Sequence, residues 1–179
     1  MNLLNSYRIL KNNLHGYEPN YHLLRLEIDS QQLKNNIYFI KTKFNIPYLT
    51  AVLKSNAYGH GLKEMGKIFD LNSQIFSLAV DNIIEAKILR NFNIKKPIII
   101  LGYVPQNILK DLKRMKNIIL VVNSLAQAEI LYQKINFPLT VHIKIDTGLH
   151  RQGISLKELI TTIEILKRNP YLKIQGLMS

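Results

Sequence analysis

Short apolar runs and stretches of helical spacing alternate along most of the chain. Leu33, Ile37, Ile40 and Phe44 fall at i, i+4, i+7 and i+11, one face of a helix that Asp29 or Ser30 can cap. An apolar run over 48–53 then predicts a buried strand ending on Lys54, and Leu62, Met65 and Phe69 predict the helix after it. Ile75–Val80 predicts the next strand, followed by a helix from about Asp81 with Ile84 and Ile88 inward. The nearly unbroken isoleucine run within 97–101 predicts a strand covered on both faces. Pro105 suits the first turn of a helix bearing Ile108, Leu112 and Met115.

The alternation continues with a strand over Ile118–Val122. Ser124-x-x-Gln127 is a capping-box pattern, and Leu125, Ala128, Tyr132 and Ile135 form the apolar face of the helix it opens. A strand over 139–145 leads to Ser155-x-x-Glu158, which caps a helix with Leu156, Leu159, Ile160, Ile163 and Leu166 inward. A last strand runs from Lys173 to Ser179. Upstream, Leu23–Ile28 alternates in part and reads as a strand, while residues 1–22, with Gly16 and Pro19, read as a loose arm or short helix.

Strands spaced by intervening helices predict βα units around a parallel sheet, so the class is α/β. A doubly wound sheet and a (β/α)8 barrel both satisfy this pattern. No Gly-x-Gly-x-x-Gly follows any strand, which counts against a dinucleotide fold.

The 179 residues, 47% hydrophobic, suffice for one domain with a proper core. With no cysteine, neither a disulfide nor a thiolate metal site can form, which agrees with a cytoplasmic protein. Residues 1–22 hold charged and polar groups without a long apolar core, so they predict neither a signal peptide nor a membrane span. A net charge of +12 admits attraction to nucleic acid. The cations are spread along the chain, however, and none of the basic stretches interleaves with aromatics, which favours a general Lys, Asn and Ile bias.

The informative stretch is Ala51-Val52-Leu53-Lys54-Ser55-Asn56-Ala57-Tyr58-Gly59-His60-Gly61. A lysine buried at a strand end is costly unless its amine has a task. Desolvation favours the neutral amine, the nucleophile that condenses with an aldehyde. Gly59 and Gly61 permit a tight turn and close backbone approach. The bland alternative is a lysine that ends a strand and points to water. The whole string resembles the pyridoxal-phosphate lysine motif of the alanine racemases. A second stretch, Lys144-Ile145-Asp146-Thr147-Gly148-Leu149-His150-Arg151-Gln152-Gly153-Ile154, resembles that family's Lys-x-Asp-Thr-Gly-x-x-Arg-x-Gly segment. Two long motifs in the family's order are more specific than either alone. The resemblance runs from about Leu24 to the last residue and covers about half of the family's length.

The resemblance implies an incomplete TIM (β/α)8 barrel of the pyridoxal-phosphate-binding type, with strands one to six present and the C-terminal β-domain absent. The domain division it suggests is an arm over 1–22 and a truncated barrel domain over 23–179. The cofactor implied is pyridoxal 5'-phosphate (PLP), with no metal. Lys54 would hold PLP and serve one face of the substrate. Tyr58 would contact the phosphate, or else is an aromatic packed beside a turn. Arg151 matches an arginine near the cofactor's phenolic oxygen and the substrate carboxylate, or else is a solvated surface residue; its planar fork suits the first role. Lys144 matches a supporting lysine that is carbamylated in many members, with an ordinary ion pair to Asp146 as the alternative. His60 reads as structural, His142 as a satisfied inward histidine, and His150 receives no role. The family's second base, a tyrosine of the partner subunit's C-terminal domain, has no counterpart.

The implied activity is interconversion of L- and D-alanine for peptidoglycan precursors, in a family of homodimers, here as a fragment inactive alone. A separately encoded C-terminal half would complete it. One rival is a PLP-homeostasis protein of the related single-barrel family, which has a shorter lysine motif and all eight strands. Another is a non-enzymatic remnant or basic nucleic-acid module, for which no motif is present. Neither nucleic acid nor a membrane is an expected partner.

Overall fold

In the computed structural model, residues 26–179 are described. Six strands form one sheet in the order β1-β2-β3-β4-β5-β6, and every neighbouring pair is parallel. The strands are β1 Leu49–Val52, β2 Ile75–Val80, β3 Ile98–Ile100, β4 Ile118–Val122, β5 Leu139–Lys144 and β6 Leu172–Met178. The helices are α1 Ser30–Lys43, α2 Leu62–Asp70, α3 Ile83–Asn91, α4 Leu125–Lys134 and α5 Leu156–Lys167, with a 3-10 helix over Gln106–Arg114 between β3 and β4. Strict sequential order with parallel pairing is barrel topology rather than a doubly wound sheet, whose strand order reverses at a switch point. Among the described residues β1 and β6 do not pair, so the sheet is open.

The larger core joins the helices to one face of the sheet through Leu78, Val80, Ile98, Ile100, Leu120, Val141 and Ile143. The smaller core lies on the other face and consists of Ala79, Ile99, Ile119 and Val121, flanked by Leu101 and Met178. None of these residues belongs to a helix, yet Val121 is fully buried. A sheet buries such residues when it curls so that they cover one another, as a barrel interior does. Leu120, on central β4, is also fully buried. Its truncation to alanine costs about 3 kcal/mol for a core leucine.

Local sequence explains most boundaries. Asp29 caps α1 through Oδ1, which accepts from the amides of Gln31 and Gln32. Asn82 does the same for α3 with the amides of Ile84 and Glu85. Ser155 and Glu158 form a reciprocal capping box on α5. At α4 the reciprocity is displaced by one residue. Ser124 Oγ accepts from Gln127 N, but Gln127 Oε1 accepts from Asn123 N.

Several inward faces differ from the expected ones. On α3 the buried residues are Ile83, Ala86 and Leu89, while Ile84 and Ile88 are exposed. Apolar residues stand in adjacent pairs there, so spacing alone admits two faces. On α5, Leu156 and Ile160 are exposed and Thr162 is buried instead. Its hydroxyl donates to Glu158 O at 2.8 Å, which removes the cost of burying it. Tyr132 is exposed on α4, and Leu131 takes the inward place. Pro105 precedes the 3-10 helix rather than lying inside it, and the buried Leu109 and Leu112 are three apart, as three residues per turn require. Residues 26–28 are not strand; the rest of the Leu23–Ile28 strand and the arm over 1–22 lie outside the described residues.

Candidate active site

Because all six strands are parallel and adjacent, their C-terminal ends share one edge of the sheet. Lys54 lies just past the end of β1, and Asp146 to Gly153 lie just past the end of β5. Both motifs thus stand on the edge where barrel enzymes build their sites. Three strands separate them, roughly 19 Å if the sheet were flat, and its curl shortens that span.

Lys54 opens a left-handed turn. Ser55, Asn56, Ala57 and Tyr58 all have φ near +55°, and Gly59 follows at +87° and Gly61 at +96°. Glycine accepts such angles without strain. Of the four residues before it, Ser55, Ala57 and Tyr58 do not: a left-handed residue with a Cβ costs roughly 1–2 kcal/mol, so the turn stores several kcal/mol. Strain of this kind persists only where surroundings over-determine it, and it clusters at functional sites. Main-chain bonds from Ala57 N to Leu53 O at 2.8 Å and from Gly61 N to Asn56 O at 3.0 Å help hold the turn. Asn56 Oδ1 accepts from Leu62 N at 2.8 Å, and Glu85 Oε1 accepts from Asn56 N at 3.2 Å. His60 Nδ1 lies 2.9 Å from Ala57 O. That histidine closes the turn, in line with a structural role.

The turn leaves its side chains accessible. Lys54 is half-buried and Tyr58 is 60% exposed. Among the described residues neither side chain makes a hydrogen bond or ion pair. Arg151 is exposed and likewise has no side-chain partner there.

The second motif is shaped by Asp146. Its Oδ1 accepts from Gly148 N and His150 N, each at 3.0 Å, and its Oδ2 lies 3.2 Å from His150 Nδ1. Those two backbone amides hold the carboxyl below its ordinary 3.8, with the His150 charge adding to the effect. Asp146 therefore organises the loop rather than pairing with Lys144. Gly153 sits at φ +140°, where a Cβ would meet Asp146 N at 2.5 Å, so this position admits only glycine. Parallel pairing of Lys144 with Met178, and of His142 with Gly176, puts both side chains on the face of the smaller core. His142 is half-buried there, and burial pulls its pKa below 6.5 against a hydrogen bond donated to Gln175, which favours the charged ring.

Spacing alone did not reveal the handedness of the turn or the role of Glu85. Ser55 to Tyr58 contain no glycine to announce positive φ, and only Asn56 is a residue that tolerates it. Glu85 looks in sequence like an ordinary first-turn helix carboxylate.

The sequence pattern of the alanine racemase N-terminal domain matches residues 28–179. Alanine racemase from Actinobacillus succinogenes is 38% identical over 146 residues, which is 79% of this chain and 39% of that protein. The crystal structure of alanine racemase from Bacillus anthracis with bound L-Ala-P superposes with a TM-score of 0.77 at 30% identity, over 89% of this chain and 42% of that one. Histidine racemase from Leuconostoc mesenteroides shares the fold, with a TM-score of 0.79 at 23% identity over 91% of this chain and 45% of that one. The chain thus spans about two fifths of the length of the curated relatives it matches. With both motifs on one edge of a parallel, sequentially ordered sheet and with these relatives, the chain belongs to the alanine racemase family, within its N-terminal domain.

Proposed function

We propose that this chain is the cofactor-binding part of a PLP-dependent racemase that interconverts L- and D-alanine and supplies D-alanine for peptidoglycan in the cytoplasm. The observation that carries the reading is the pair of motifs on the same C-terminal edge, one presenting a lysine and the other an arginine. The residues suit PLP on chemical grounds. Lys54 offers an amine with no ion-pair partner among the described residues, and Arg151 offers a free guanidinium to an anionic ligand. The excess of cations favours the same ligand.

PLP, when bound, supplies the electron sink that lets a proton leave the substrate Cα. Lys54 would hold the cofactor through its amine, and once substrate has displaced it the freed Nζ would take or return that proton on one face. Tyr58 would donate its hydroxyl to the phosphate, and the planar fork of Arg151 would serve the cofactor's phenolic oxygen and the nearby substrate carboxylate. Lys144 supports Arg151, and Asp146 fixes the loop that carries it. The base for the opposite face belongs to the family's C-terminal domain, contributed across a homodimer, and lies in the part of the relatives that this chain does not span. A separately encoded half would supply it. The barrel domain would comprise 23–179, preceded by an arm over 1–22. Alone, the chain is expected to bind PLP without racemising alanine.

Borohydride treatment of the full chain with PLP, followed by peptide mass mapping, tests this. The expected result is one pyridoxyl label, on Lys54, and no D-alanine formed from L-alanine. Label spread over surface lysines, or absent from Lys54, overturns the assignment.

A further inference from the structure

The strained turn after Lys54 is held from outside its own segment by one side chain among the described residues, that of Glu85. A glutamate in the first turn of a helix ordinarily returns to the amide of the cap residue. Glu85 does something else. Its Oε2 accepts from Asp81 N at 3.0 Å, one residue before the Asn82 cap, and its Oε1 crosses to Asn56 N at 3.2 Å, 29 residues earlier in the chain. The carboxylate thus joins the second βα unit to the turn of the first. Asn56 is the central clasp of that turn: its amide is bound by Glu85, its carbonyl by Gly61 N, and its Oδ1 by Leu62 N. The α3 helix does not need Glu85 as its cap, because Asn82 Oδ1 already accepts from Ile84 N and Glu85 N at 3.0 Å each.

We infer that Glu85 is a positioning residue for Lys54: it pins the left-handed turn and so fixes where the amine stands. The inference rests on the PLP reading for its consequence but not for its structural part. If Glu85 only stabilised α3, removing it would resemble removing Asn82. If it positions the turn, the two losses separate. Without Glu85, residues 55–58 can relax toward right-handed backbone, which their side chains prefer, and Lys54 moves with them.

The test uses the full chain and three variants, Glu85→Ala, Glu85→Gln and Asn82→Ala. Hydrogen exchange over 53–62 reads the turn directly, and borohydride-trapped PLP on Lys54 reads the amine. Glu85→Ala is expected to speed exchange in that segment at least tenfold and to cut the Lys54 label about tenfold. Glu85→Gln, which keeps an acceptor for Asn56 N, restores most of both. Asn82→Ala lowers the melting temperature and leaves both readouts near wild type. Equal effects of Glu85→Ala and Asn82→Ala on exchange, or unchanged exchange in Glu85→Ala, would overturn the inference. If the wild-type chain takes no label at Lys54, the PLP reading fails while the exchange result still decides the role of Glu85.

Discussion

The two edges of the sheet are built on opposite principles. At the N-terminal edge, polar side chains tie the approaches to the strands together. Arg90 donates through Nε to Lys116 O, through Nη1 to Ile94 O, and through Nη2 to Lys96 O and Asn117 O, at 2.6–3.0 Å. It thereby clamps the lead-ins to β3 and β4. Burial lowers its pKa from the ordinary value, and Asp70 opposes that shift. Asp70 Oδ1 in turn accepts from Lys95 N and Lys96 N at 2.9 Å. Asn169 is buried and donates to Tyr132 O and Ile135 O while accepting from Tyr171 N, which joins the approaches to β5 and β6. At the C-terminal edge, Lys54, Tyr58 and Arg151 are left free and the backbone beneath two of them is strained.

Backbone angles draw the same line. Among the described residues away from the candidate site, the non-glycine residues at positive φ are Asn45, Asn93 and Asn117. Asparagine tolerates that region because its side chain bonds locally. At the candidate site they are Ser55, Asn56, Ala57, Tyr58 and His150. One edge uses only the residue that makes a left-handed turn cheap; the other adds Ser55, Ala57 and Tyr58, which make it costly. Barrel enzymes divide stability and chemistry between their two ends in this way.

This division can be broken by substitution. Lys54→Ala should remove the PLP label completely, yet leave denaturant-induced unfolding unchanged within about 0.5 kcal/mol, because its side chain has no partner to lose. Arg90→Ala should do the reverse. Four carbonyls lose a charged donor, so stability should fall by about 3 kcal/mol in urea titration while Lys54 still takes the label. Asn169→Ala should cost about 2 kcal/mol by the same measurement, again with labelling intact. A loss of labelling in either variant that exceeds the loss of folded protein would mean that the two edges are coupled.

Ser55→Gly sharpens the comparison from the other side. If the turn is strained, glycine should raise stability by about 1 kcal/mol, an uncommon outcome for a substitution in a folded protein. The smallest effect should come from acidification. Folding holds His142 below 6.5, so between its folded value and 6.5 the unfolded chain binds more protons. The His142 contribution is therefore complete above pH 6.5, declines as pH falls through 6.5, and levels off below the folded value. His142→Gln should flatten that part of the stability–pH curve.

The architecture was legible because each strand is bounded by strong signals. The isoleucine run before Gly102, the Ser155–Glu158 box and the Asp29 cap all act locally, and local rules read them correctly. The inward faces of α3 and α5 were not legible. Ile83-Ile84 and Ile88-Leu89 offer two equivalent stripes, and the burial of Thr162 depends on a bond to a carbonyl in its own helix. At the site, the motifs marked the positions of Lys54 and Arg151, but the handedness of the backbone between Lys54 and Gly59 depends on Glu85 and Leu62, which contribute from later elements. Apolar periodicity carries no trace of an interaction made by a single carboxylate oxygen.

Gly176 has a consequence of a different kind. A Cβ added there would stand 3.3 Å from Nε2 of His142 and 3.4 Å from two of its ring carbons. The imidazole thus occupies the volume that a side chain on the neighbouring strand would otherwise fill. Positions 142 and 176 form a single steric unit: a smaller residue at 142 would open room for a methyl group at 176, and the two changes would be tolerated together more readily than alanine at 176 alone.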